Sequence, residues 1–213
     1  MKGLLLATRS ADKVREIRRI LAAAGLALEI ESLDEAHVHW SSAEERIEEH
    51  DSFLANARAK AEYFARLTGR PTVADDSGIE VTALGGAPGV RSKRFSPESG
   101  RLTGKELDAA NNAELLRRLL GAAEARRRAC YVCVAVLLRT PSAAPEAFTG
   151  RSWGRILEEP RGAGGFGYDP LFLHEGLGKS FGEAAPEEKD AVSHRGDAFR
   201  QVAAALAAQS LAL

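Results

Sequence analysis

The segment from Thr72 to Phe95 constrains this chain more than any other, because an apolar run leads directly into paired acids and a glycine-rich loop. The apolar residues predict a short buried strand, which ends where Asp75 and Asp76 stand side by side before a Ser-Gly turn. Two adjacent carboxylates at a strand end suit a hard cation such as Mg²⁺, and one of them can accept a proton from water. The segment therefore predicts either a catalytic acid pair or an ordinary acidic turn.

The second half of the same segment adds a loop and positive charge. Residues 79–81 alternate as a second short strand does, and the glycines of residues 85–89 allow the backbone to approach a ligand closely. Three cations follow, at Arg91, Lys93 and Arg94. Carboxylates, glycine loop and cations together indicate a site for a metal-bound polyphosphate, whereas a strand with a solvated basic face is the alternative.

Length and charge limit the classes of protein that fit. A chain of 213 residues with 45% hydrophobic residues suits one domain, residues 1–213, or two lobes that share a core. The 29 basic and 30 acidic residues nearly cancel, so we expect no stable nucleic-acid partner and only a local phosphate site. No apolar run approaches the roughly 18 residues of a membrane span, and residues 1–7 predict a first strand rather than a signal peptide. We therefore expect a cytoplasmic protein with no membrane partner.

The cysteines and two of the histidines have spacings that also occur in metal sites. Cys130 and Cys133 form a C-x-x-C pair, which is typical of redox centres or of half a zinc site. Residues 129–138 predict a buried strand, in which this odd separation places the two side chains on opposite faces. We therefore expect packed, reduced thiols. His37 and His39 can share a strand face, but no third soft ligand is near, and we expect surface or interface histidines.

The start of the chain predicts a strand that leads into a helix N-terminus. Residues 3–7 are apolar, and Ser10 is placed to cap a helix that ends at Gly25. Free N–H groups and the helix dipole favour an anion there, with Thr8 and Ser10 as hydroxyl donors and Lys13 as a cation. An ordinary strand–helix unit with a surface lysine is the alternative.

Other segments predict further elements before and after the central one. Residues 27–31 predict a second strand, and the acidic residues 33–50 predict irregular structure. Ser52 is placed to cap a helix that continues through residue 67, and Asn56 and Lys60 lie one turn apart on a face next to its apolar stripe.

Beyond the central segment, a capping box at residues 103–106 opens a helix that ends at Leu120. The run 126–128 predicts a solvated turn, and glycines loosen residues 148–156 into an edge or bulged strand. An amphipathic helix follows residues 193–196 and ends near residue 211.

Residues 161–172, RGAGGFGYDPLF, combine four glycines with aromatic side chains and an acid. A flexible loop with exposed Phe166 and Tyr168 suits a base-binding pocket, because every nucleobase has a π-face on which a ring can stack. His194 and Arg195 stand near a helix N-terminus, where they can donate to carbonyl oxygens or phosphate. Glycine-rich aromatic loops have many uses, however, and a capped surface helix is the alternative for the His-Arg pair.

Five stretches of the chain resemble, in order and at compatible spacing, the signature of the inosine triphosphate pyrophosphatase family, the Ham1-type nucleotide hydrolases. They are LATRSADK, EEHDSFLANARAKA, ADDSGIEV with ALGGAPGVRSKRF, GGFGYDPLF and EEKDAVSHRG, and the resemblance spans residues 4–196. Five positions depart from the family pattern. Arg9 replaces a usual glycine, Ser10 a usual asparagine and Ala55 a usual glutamate, and Asp51 and Ser52 also stand where the family has other residues.

The resemblance implies an α/β fold with a mixed, elongated sheet, flanking helices and two lobes that enclose a central cleft, in a protein that forms homodimers. It also implies a hydrolase that needs Mg²⁺ and converts ITP, dITP and XTP to the nucleoside monophosphate and pyrophosphate. Such an enzyme cleans the nucleotide pool and keeps deaminated purines out of DNA and RNA.

The register of the family implies roles for particular residues. Glu48 and Asp76 hold the metal, and Asp76 is the catalytic proton acceptor, with Asp75 as the second candidate. Arg195 donates to the oxygen at C6 of the base, which adenine lacks. Lysines neutralise the triphosphate, and the glycine-rich loop binds the base. The substrate-binding residues are Thr8, Arg9, Ser10, Lys13, Asn56, Lys60, Ser77, Phe166, Gly167, Tyr168, Asp169, Lys189, His194 and Arg195.

Two rival interpretations remain open at this point. One is a hydrolase of related fold that acts on modified pyrimidine or canonical triphosphates. The other is a non-catalytic nucleotide-binding regulator, which the departures at Arg9, Ser10 and Ala55 favour. Activity measured across a panel of triphosphates distinguishes the first rival from a hydrolase of non-canonical purine triphosphates. Binding of ITP without release of pyrophosphate identifies the second.

Overall fold

The computed structural model describes residues 3–26 and 28–210, without the side chains of residues 209 and 210. Within this part of the chain, the strands are β1 (Leu4–Leu6), β2 (Ile30–Ser32), β3 (Thr72–Val81), β4 (Arg128–Leu138), β5 (Glu146–Ile156), β6 (Phe172–His174) and β7 (Lys179–Ser180). The α-helices are α1 (Ala11–Ala23), α2 (Phe53–Thr68), α3 (Gly104–Arg118), α4 (Pro186–Val192) and α5 (His194–Ser210). Short 3₁₀ segments lie at Ser42–Arg46, Thr82–Leu84, Gly89–Arg94 and Glu124–Arg127.

The strands form a mixed sheet in the order β2-β1-β3-β4-β5-β6-β7. β1 pairs in parallel with β2 and β3, whereas β6 pairs antiparallel with β5 and β7. Parallel neighbours need a long connection between them, and α1 and α2 lie in the connections from β1 to β2 and from β2 to β3. The mixed α/β sheet with flanking helices confirms the fold class that the sequence predicts.

The described residues divide into two compact units. Unit 1 contains the chain up to Asp76, residues Cys133–Gly150 and the part from Arg195 onward, and unit 2 contains Ser77–Val132 and Arg151–His194. Each unit has a hydrophobic cluster of its own. The single catalytic domain and the central cleft stay predictions.

The core of unit 1 follows helical periodicity. Ile17, Ile20 and Leu21 share one face of α1, because residues three and four positions apart lie on the same side of a helix. They belong to one buried cluster with Phe199 and Val202 of α5. The apolar spacing of α1 that the sequence shows is therefore the spacing of its buried face.

β4 carries the aromatic core of unit 2 and both cysteines. The ring centroid of Tyr131 lies 4.8 Å from that of Phe172, which lies 4.9 Å from that of Phe181. Such tilted contacts are the favoured packing of aromatic rings. Cys130 and Cys133 are free, buried thiols, as predicted. Burial raises the pKa of both thiols, so neither is a reactive thiolate.

The predicted turn at Ser77 and Gly78 is wrong, because β3 runs unbroken from Thr72 to Val81. Eight of the ten residues of β3 are buried, and burial on both faces favours a continuous central strand over an exposed turn. Asp75 and Asp76 therefore lie in the middle of a strand and not at its end. The adjacent carboxylates point to opposite faces of the sheet.

Two predicted details of elements outside the central segment differ from the structure. The edge alternative for residues 148–156 is wrong, because β5 lies between β4 and β6, and the bulged-strand alternative stays a prediction. The side chain of Thr103 makes no capping hydrogen bond within the described part of the chain. Gly104, the first residue of the helix, has a left-handed φ of 55°.

Most of the run 126–128 is exposed, as predicted, and its middle residue is the exception. Arg127 is buried and donates to the carbonyl oxygens of Ile156 at 2.9 Å and Leu157 at 2.7 Å. Five N–H donors let one guanidinium satisfy several carbonyls at once, and this explains a buried arginine without a carboxylate here.

The structure also changes the predicted start of the last helix. α5 begins at His194, so the His-Arg pair lies inside the helix and not before it. Predictions for residues 1–2, Ala27 and Leu211 lie outside the described residues. Between residues 3 and 210, Ala27 excepted, no helix is long and apolar enough to cross a membrane.

Candidate active site

Asp75 is the most enclosed carboxylate of unit 1. Its Oδ2 atom accepts a hydrogen bond from Lys13 Nζ at 2.9 Å and lies 3.5 Å from a terminal nitrogen of Arg195. Its Oδ1 atom is buried and has no hydrogen-bond partner among the described residues. Burial opposes ionisation, but the positive charges of Lys13, Arg195 and Lys60 outweigh it and hold the pKa of Asp75 well below its ordinary value. Asp75 is therefore an anion and a weak proton acceptor.

Asp76 has the opposite electrostatic character. Burial raises its pKa above the ordinary value, although Lys13 and Lys60 act in the other direction. Asn56 Nδ2 donates to its Oδ2 atom at 2.9 Å. A carboxylate with a raised pKa is better suited to act as a general base, and the role of Asp76 as the proton acceptor stays a prediction.

α2 supplies the two side chains that flank Asp76. Ser52 Oγ caps the helix by accepting from Ala55 N at 3.2 Å, as predicted. Asn56 accepts from His50 N at 2.9 Å and so ties the preceding acidic segment to β3. The buried Lys60 is paired with Glu48, and the charges of Glu48 and Asp75 raise the pKa of Lys60 against the effect of burial. Burial also opposes the ionisation of Glu48, but Lys60 and Lys13 lower its pKa overall.

The loop between β1 and α1 is ordered by its own hydroxyl groups. Ser10 Oγ accepts from Lys13 N at 3.3 Å, which confirms the predicted N-cap, and Thr8 Oγ1 accepts from Ser10 N at 3.2 Å. Each hydroxyl still has a hydrogen to donate. The guanidinium of Arg9 contacts the acidic segment of residues 33–50. It donates twice to Glu44, at 3.0 and 2.7 Å, and once to Val38 O at 2.7 Å. Arg9 therefore holds the acidic segment.

Arg195 lies in unit 1 with carboxylates on two sides. It is 2% exposed and donates to Glu16 Oε2 at 2.6 Å, besides its contact with Asp75. The predicted role of Arg195 as a reader of the base stays a prediction. We define the acid–lysine cluster of unit 1 as Glu16, Glu48, Asp75, Asp76, Lys13, Lys60 and Arg195.

Unit 2 contains the glycine-rich loop, which is held by its own acid. Asp169 Oδ2 accepts from Phe166 N at 2.8 Å and from Lys189 Nζ at 2.5 Å, and Asp169 Oδ1 lies 3.4 Å from the hydroxyl of Tyr131. Gly165 has a φ of 68°, and a Cβ there would overlap the Asp169 carboxylate. A glycine at position 165 is therefore needed for the approach of Asp169.

The two aromatic residues of the loop differ in accessibility. The expectation that both are exposed is wrong for Tyr168, which is 4% exposed and donates to Ser92 O at 2.7 Å. Phe166 is half-buried, and Lys189 Nζ lies 4.9 Å from its ring centroid. The ring of His194 stacks on Tyr131 with centroids 4.5 Å apart. Phe166 is thus the loop ring with surface left for stacking on a base.

Some predicted site residues come together, and the structure adds others. Lys189 is predicted to bind phosphate, yet its contacts are with the glycine-rich loop; Ser77 is half-buried in β3. Glu16 is not among the predicted site residues, although a charged residue next to Ile17 on the apolar face of α1 is a recognisable signal. Asp108 and Asn112 of α3, which contact Gly167, are not among them either.

A mixed α/β sheet with paired acids in a central strand, lysines beside them and a glycine-rich aromatic loop defines a class of nucleotide-binding protein. The model of the Ham1 family matches residues 4–205, and the chain belongs to that family. The predicted family is thereby confirmed.

Similar proteins cover nearly the whole chain. A protein of Frankia alni named dITP/XTP pyrophosphatase is 46% identical over 95% of this chain and 96% of its own length. One of Ralstonia nicotianae with the same name is 44% identical over 95% of both chains. Among solved structures, a HAM1 protein from Coxiella burnetii has a TM-score of 0.82 at 34% identity and covers 97% of this chain and 99% of its own. A nucleoside-triphosphatase / dITP/XTP pyrophosphatase from Mycobacterium abscessus has a TM-score of 0.70 at 40% identity, with the same coverage.

Proposed function

We propose that this protein hydrolyses the non-canonical purine nucleoside triphosphates dITP, XTP and ITP to the monophosphate and pyrophosphate. The names of its relatives support the substrate class. The observation that carries the chemistry is the pair Asp75 and Asp76, whose pKa values are displaced in opposite directions inside one cluster. Two carboxylates with separated pKa values are suited to different tasks, one electrostatic and one as general base.

The acid–lysine cluster offers carboxylate oxygens of the kind that Mg²⁺ takes, although the described residues include no group of three or more His, Cys, Asp or Glu side chains placed to hold a metal ion. Within the described residues the cluster has four carboxylates and three cations, so it carries one net negative charge when all are ionised. The Oδ1 atom of Asp75 is a buried oxygen with no other partner in the described chain. We propose that Glu48 and Asp76 hold the ion, and Mg²⁺ supplies charge that stabilises the transferred phosphoryl oxygens. A divalent cation reverses the sign of the cluster, which favours a polyanion.

The residues of unit 1 account for the hydrolytic step. Asp76 accepts the proton of the water that attacks the α-phosphorus, and Asn56 orients its carboxylate through the 2.9 Å hydrogen bond. Lys13 and Lys60 already lie beside carboxylates, and in this proposal they turn toward phosphate oxygens when the triphosphate arrives. Thr8 donates a hydroxyl hydrogen to the same group.

The residues of unit 2 account for binding of the base. Phe166 stacks on the purine, while the buried Tyr168 anchors the loop that carries it. His194 completes the pocket, and Lys189 neutralises phosphate, as the family register implies. Arg195 keeps its proposed role as donor to the C6 oxygen. We further propose that the enzyme is a cytoplasmic homodimer that removes deaminated purines from the nucleotide pool, as the resemblance implies.

The test is pyrophosphate release from ITP, dITP, XTP, GTP, ATP and dUTP with Mg²⁺. We expect dITP, XTP and ITP to exceed the others in kcat/KM by at least about a hundredfold, since a site built for one set of polar groups rejects bases that leave them unpaired. A preference for dUTP or ATP would identify a different hydrolase. Tight binding of ITP without pyrophosphate release would identify a regulator.

A further inference from the structure

α3 presents two side chains to Gly167, the residue that follows Phe166 in the glycine-rich loop. Asp108 Oδ2 accepts from Gly167 N at 2.8 Å, and Asn112 Nδ2 donates to Gly167 O at 3.0 Å. Asp108 and Asn112 are four residues apart, so they lie on one face of the helix. Together they hold the donor and the acceptor of a single loop residue.

This arrangement fixes the backbone on both sides of the Phe166 ring. Phe166 N is held by Asp169, and the next N–H group, that of Gly167, is held by Asp108. Gly167 has a φ of 63°, in the left-handed region that glycine adopts readily. A glycine in a loop keeps wide conformational freedom unless its peptide groups form hydrogen bonds. The two bonds from α3 therefore remove freedom that the sequence of the loop would otherwise allow.

We propose that Asp108 and Asn112 are positioning residues for base selectivity, which act by holding Gly167 and thereby the direction of the Phe166 ring. The inference rests on the proposed function, because it assumes that Phe166 stacks on the purine. When the ring has one fixed orientation, a base stacked on it always presents its edge to the same neighbouring groups of the loop. A mobile ring still stacks on any purine, because every base has a π-face, and therefore loses discrimination more than binding.

The chain allows a variant that removes one of these hydrogen bonds together with an unsatisfied buried atom. Asn112 Oδ1 is buried and has no partner in the described part of the chain, so Asn112→Leu removes an unsatisfied acceptor together with the donor to Gly167. Asp108→Ala removes the acceptor for Gly167 N. Asp108→Asn keeps an oxygen that can accept the same hydrogen bond, and is the conservative rescue.

The experiment measures kcat and KM for XTP and GTP with wild type and these variants. We expect Asp108→Ala and Asn112→Leu to lower the XTP:GTP ratio of kcat/KM at least tenfold, mainly through KM for XTP, with kcat within about twofold. Asp108→Asn should stay within threefold of wild type. Hydrogen exchange at the Gly167 amide should speed up in Asp108→Ala, which reports the loss of the bond independently of activity.

Two controls on the same helix separate selectivity from stability. Glu106→Ala removes an exposed carboxylate from α3 and should change neither ratio nor exchange. Asn111→Leu removes bonds to the backbone of residues 93–96 and should lower the Tm while it leaves the XTP:GTP ratio intact.

The outcomes distinguish this inference from the proposed function. If wild type prefers XTP and the ratio is unchanged in both Asp108→Ala and Asn112→Leu, the inference is overturned and the proposed function stands. If the ratio falls equally in Asn111→Leu, selectivity follows stability and the inference is again overturned. If wild type releases no pyrophosphate from XTP, dITP or ITP, both the function and the inference fail.

Discussion

At the scale of single residues, Asp75 and Asp76 are neighbours with different surroundings. Alternation along β3 sends their side chains to opposite faces, and Asp75 meets Lys13 and Arg195 while Asp76 meets Asn56. The charged partners stabilise the anion of Asp75, whereas the amide partner leaves burial as the main influence on Asp76. Adjacent acids in one strand thus acquire different properties without any change in residue type.

The first prediction separates the roles of these two acids. Asp76→Asn should cut kcat at least about a hundredfold, since it removes both the proton acceptor and a charge near the reacting phosphate. It should change the Tm little, because Asn56 can still donate to the new amide oxygen. Pyrophosphate release at saturating Mg²⁺ measures kcat, and turnover close to wild type would remove Asp76 from the chemistry.

Asp75→Asn is the matched comparison for that experiment. It removes the negative charge beside Arg195 and Lys13, and removing one partner of a buried ion pair costs about 3–5 kcal/mol. The free energy of unfolding should therefore fall in Asp75→Asn and not in Asp76→Asn. The reverse order of the two stabilities would contradict the assignment.

Arg195 supports the second prediction, which concerns stability first. Arg195→Ala leaves Glu16 and Asp75 as buried carboxylates without their arginine, and we expect a loss of about 3–5 kcal/mol in the free energy of unfolding. Urea denaturation measures the loss. Arg195→Lys should restore only part of it, because a point charge cannot bridge two carboxylates as a planar guanidinium does.

The same variants test the proposed contact of Arg195 with the base. If Arg195 donates to the C6 oxygen, Arg195→Ala should raise the activation free energy derived from kcat/KM by about 2–4 kcal/mol more for ITP than for ATP, because adenine offers no acceptor there. Kinetic assays without urea, under conditions in which the variant is folded, separate this effect from the loss of stability. Equal losses for ITP and ATP would restrict Arg195 to its carboxylates, and the base would then be read by the loop from Phe166 to Asp169.

Much of the candidate site is visible in local patterns, and the rest depends on contacts that no local pattern shows. The cap at Ser10, the lysine one turn later and the adjacent acids are each encoded within a few residues. The pair of Glu16 with Arg195 joins residues 179 positions apart, and no spacing rule reaches that far. Arg9 shows the same limit, because its pair with Glu44 joins residues 35 positions apart.

At the scale of elements, α3 supports the third prediction, which concerns pH. Glu114 accepts hydrogen bonds from Arg117 at 2.7 and 2.9 Å and from Arg118 at 2.6 Å, and these bonds lower the pKa of Glu114 to about 2 from 4.5. Because the folded pKa lies below that of the unfolded chain, the stabilisation is fully present above pH 4.5 and is lost as the pH falls toward 2.

Glu114→Gln should therefore destabilise the protein at pH 7 and progressively less below pH 4.5. The cost at pH 7 should not exceed about 1 kcal/mol, because the arginine partners are largely solvated and water screens the pairs. Urea denaturation from pH 7 to 3 measures the difference from wild type. Glu106→Gln on the same helix is the control, and a penalty for Glu114→Gln that stays constant over this range would refute the assignment.

The elements were predictable where a pattern repeats and unpredictable where burial decides. α1 and α2 follow from apolar periodicity and a serine cap, and both helices form as expected. The Ser-Gly pair at 77–78 has the composition of a turn, yet the strand continues because both of its faces are covered. β5 has the glycines of an edge strand but lies inside the sheet, since strand order is set by long-range pairing.

At the scale of the whole molecule, metal binding should appear as stability. A ligand that binds only the folded state at a hundred times its Kd stabilises it by about 2.7 kcal/mol, which for a chain of this size raises the Tm by about 5–10 °C. The acid–lysine cluster carries a net negative charge when its groups are ionised, so Mg²⁺ should bind without nucleotide. We therefore expect Mg²⁺ to raise the Tm of wild type in this range.

The variants of this last prediction locate the ion. Glu48→Gln and Asp76→Asn should each abolish most of the Mg²⁺-dependent rise in Tm, because each removes a proposed ligand and one negative charge. Asp12→Asn, which removes an exposed carboxylate of α1 outside the cluster, should keep the full rise. Differential scanning calorimetry over a Mg²⁺ titration gives both the shift and its concentration dependence. An equal rise in Asp76→Asn and wild type would place the ion elsewhere, and the absence of any rise in wild type would contradict binding of Mg²⁺ to the free protein.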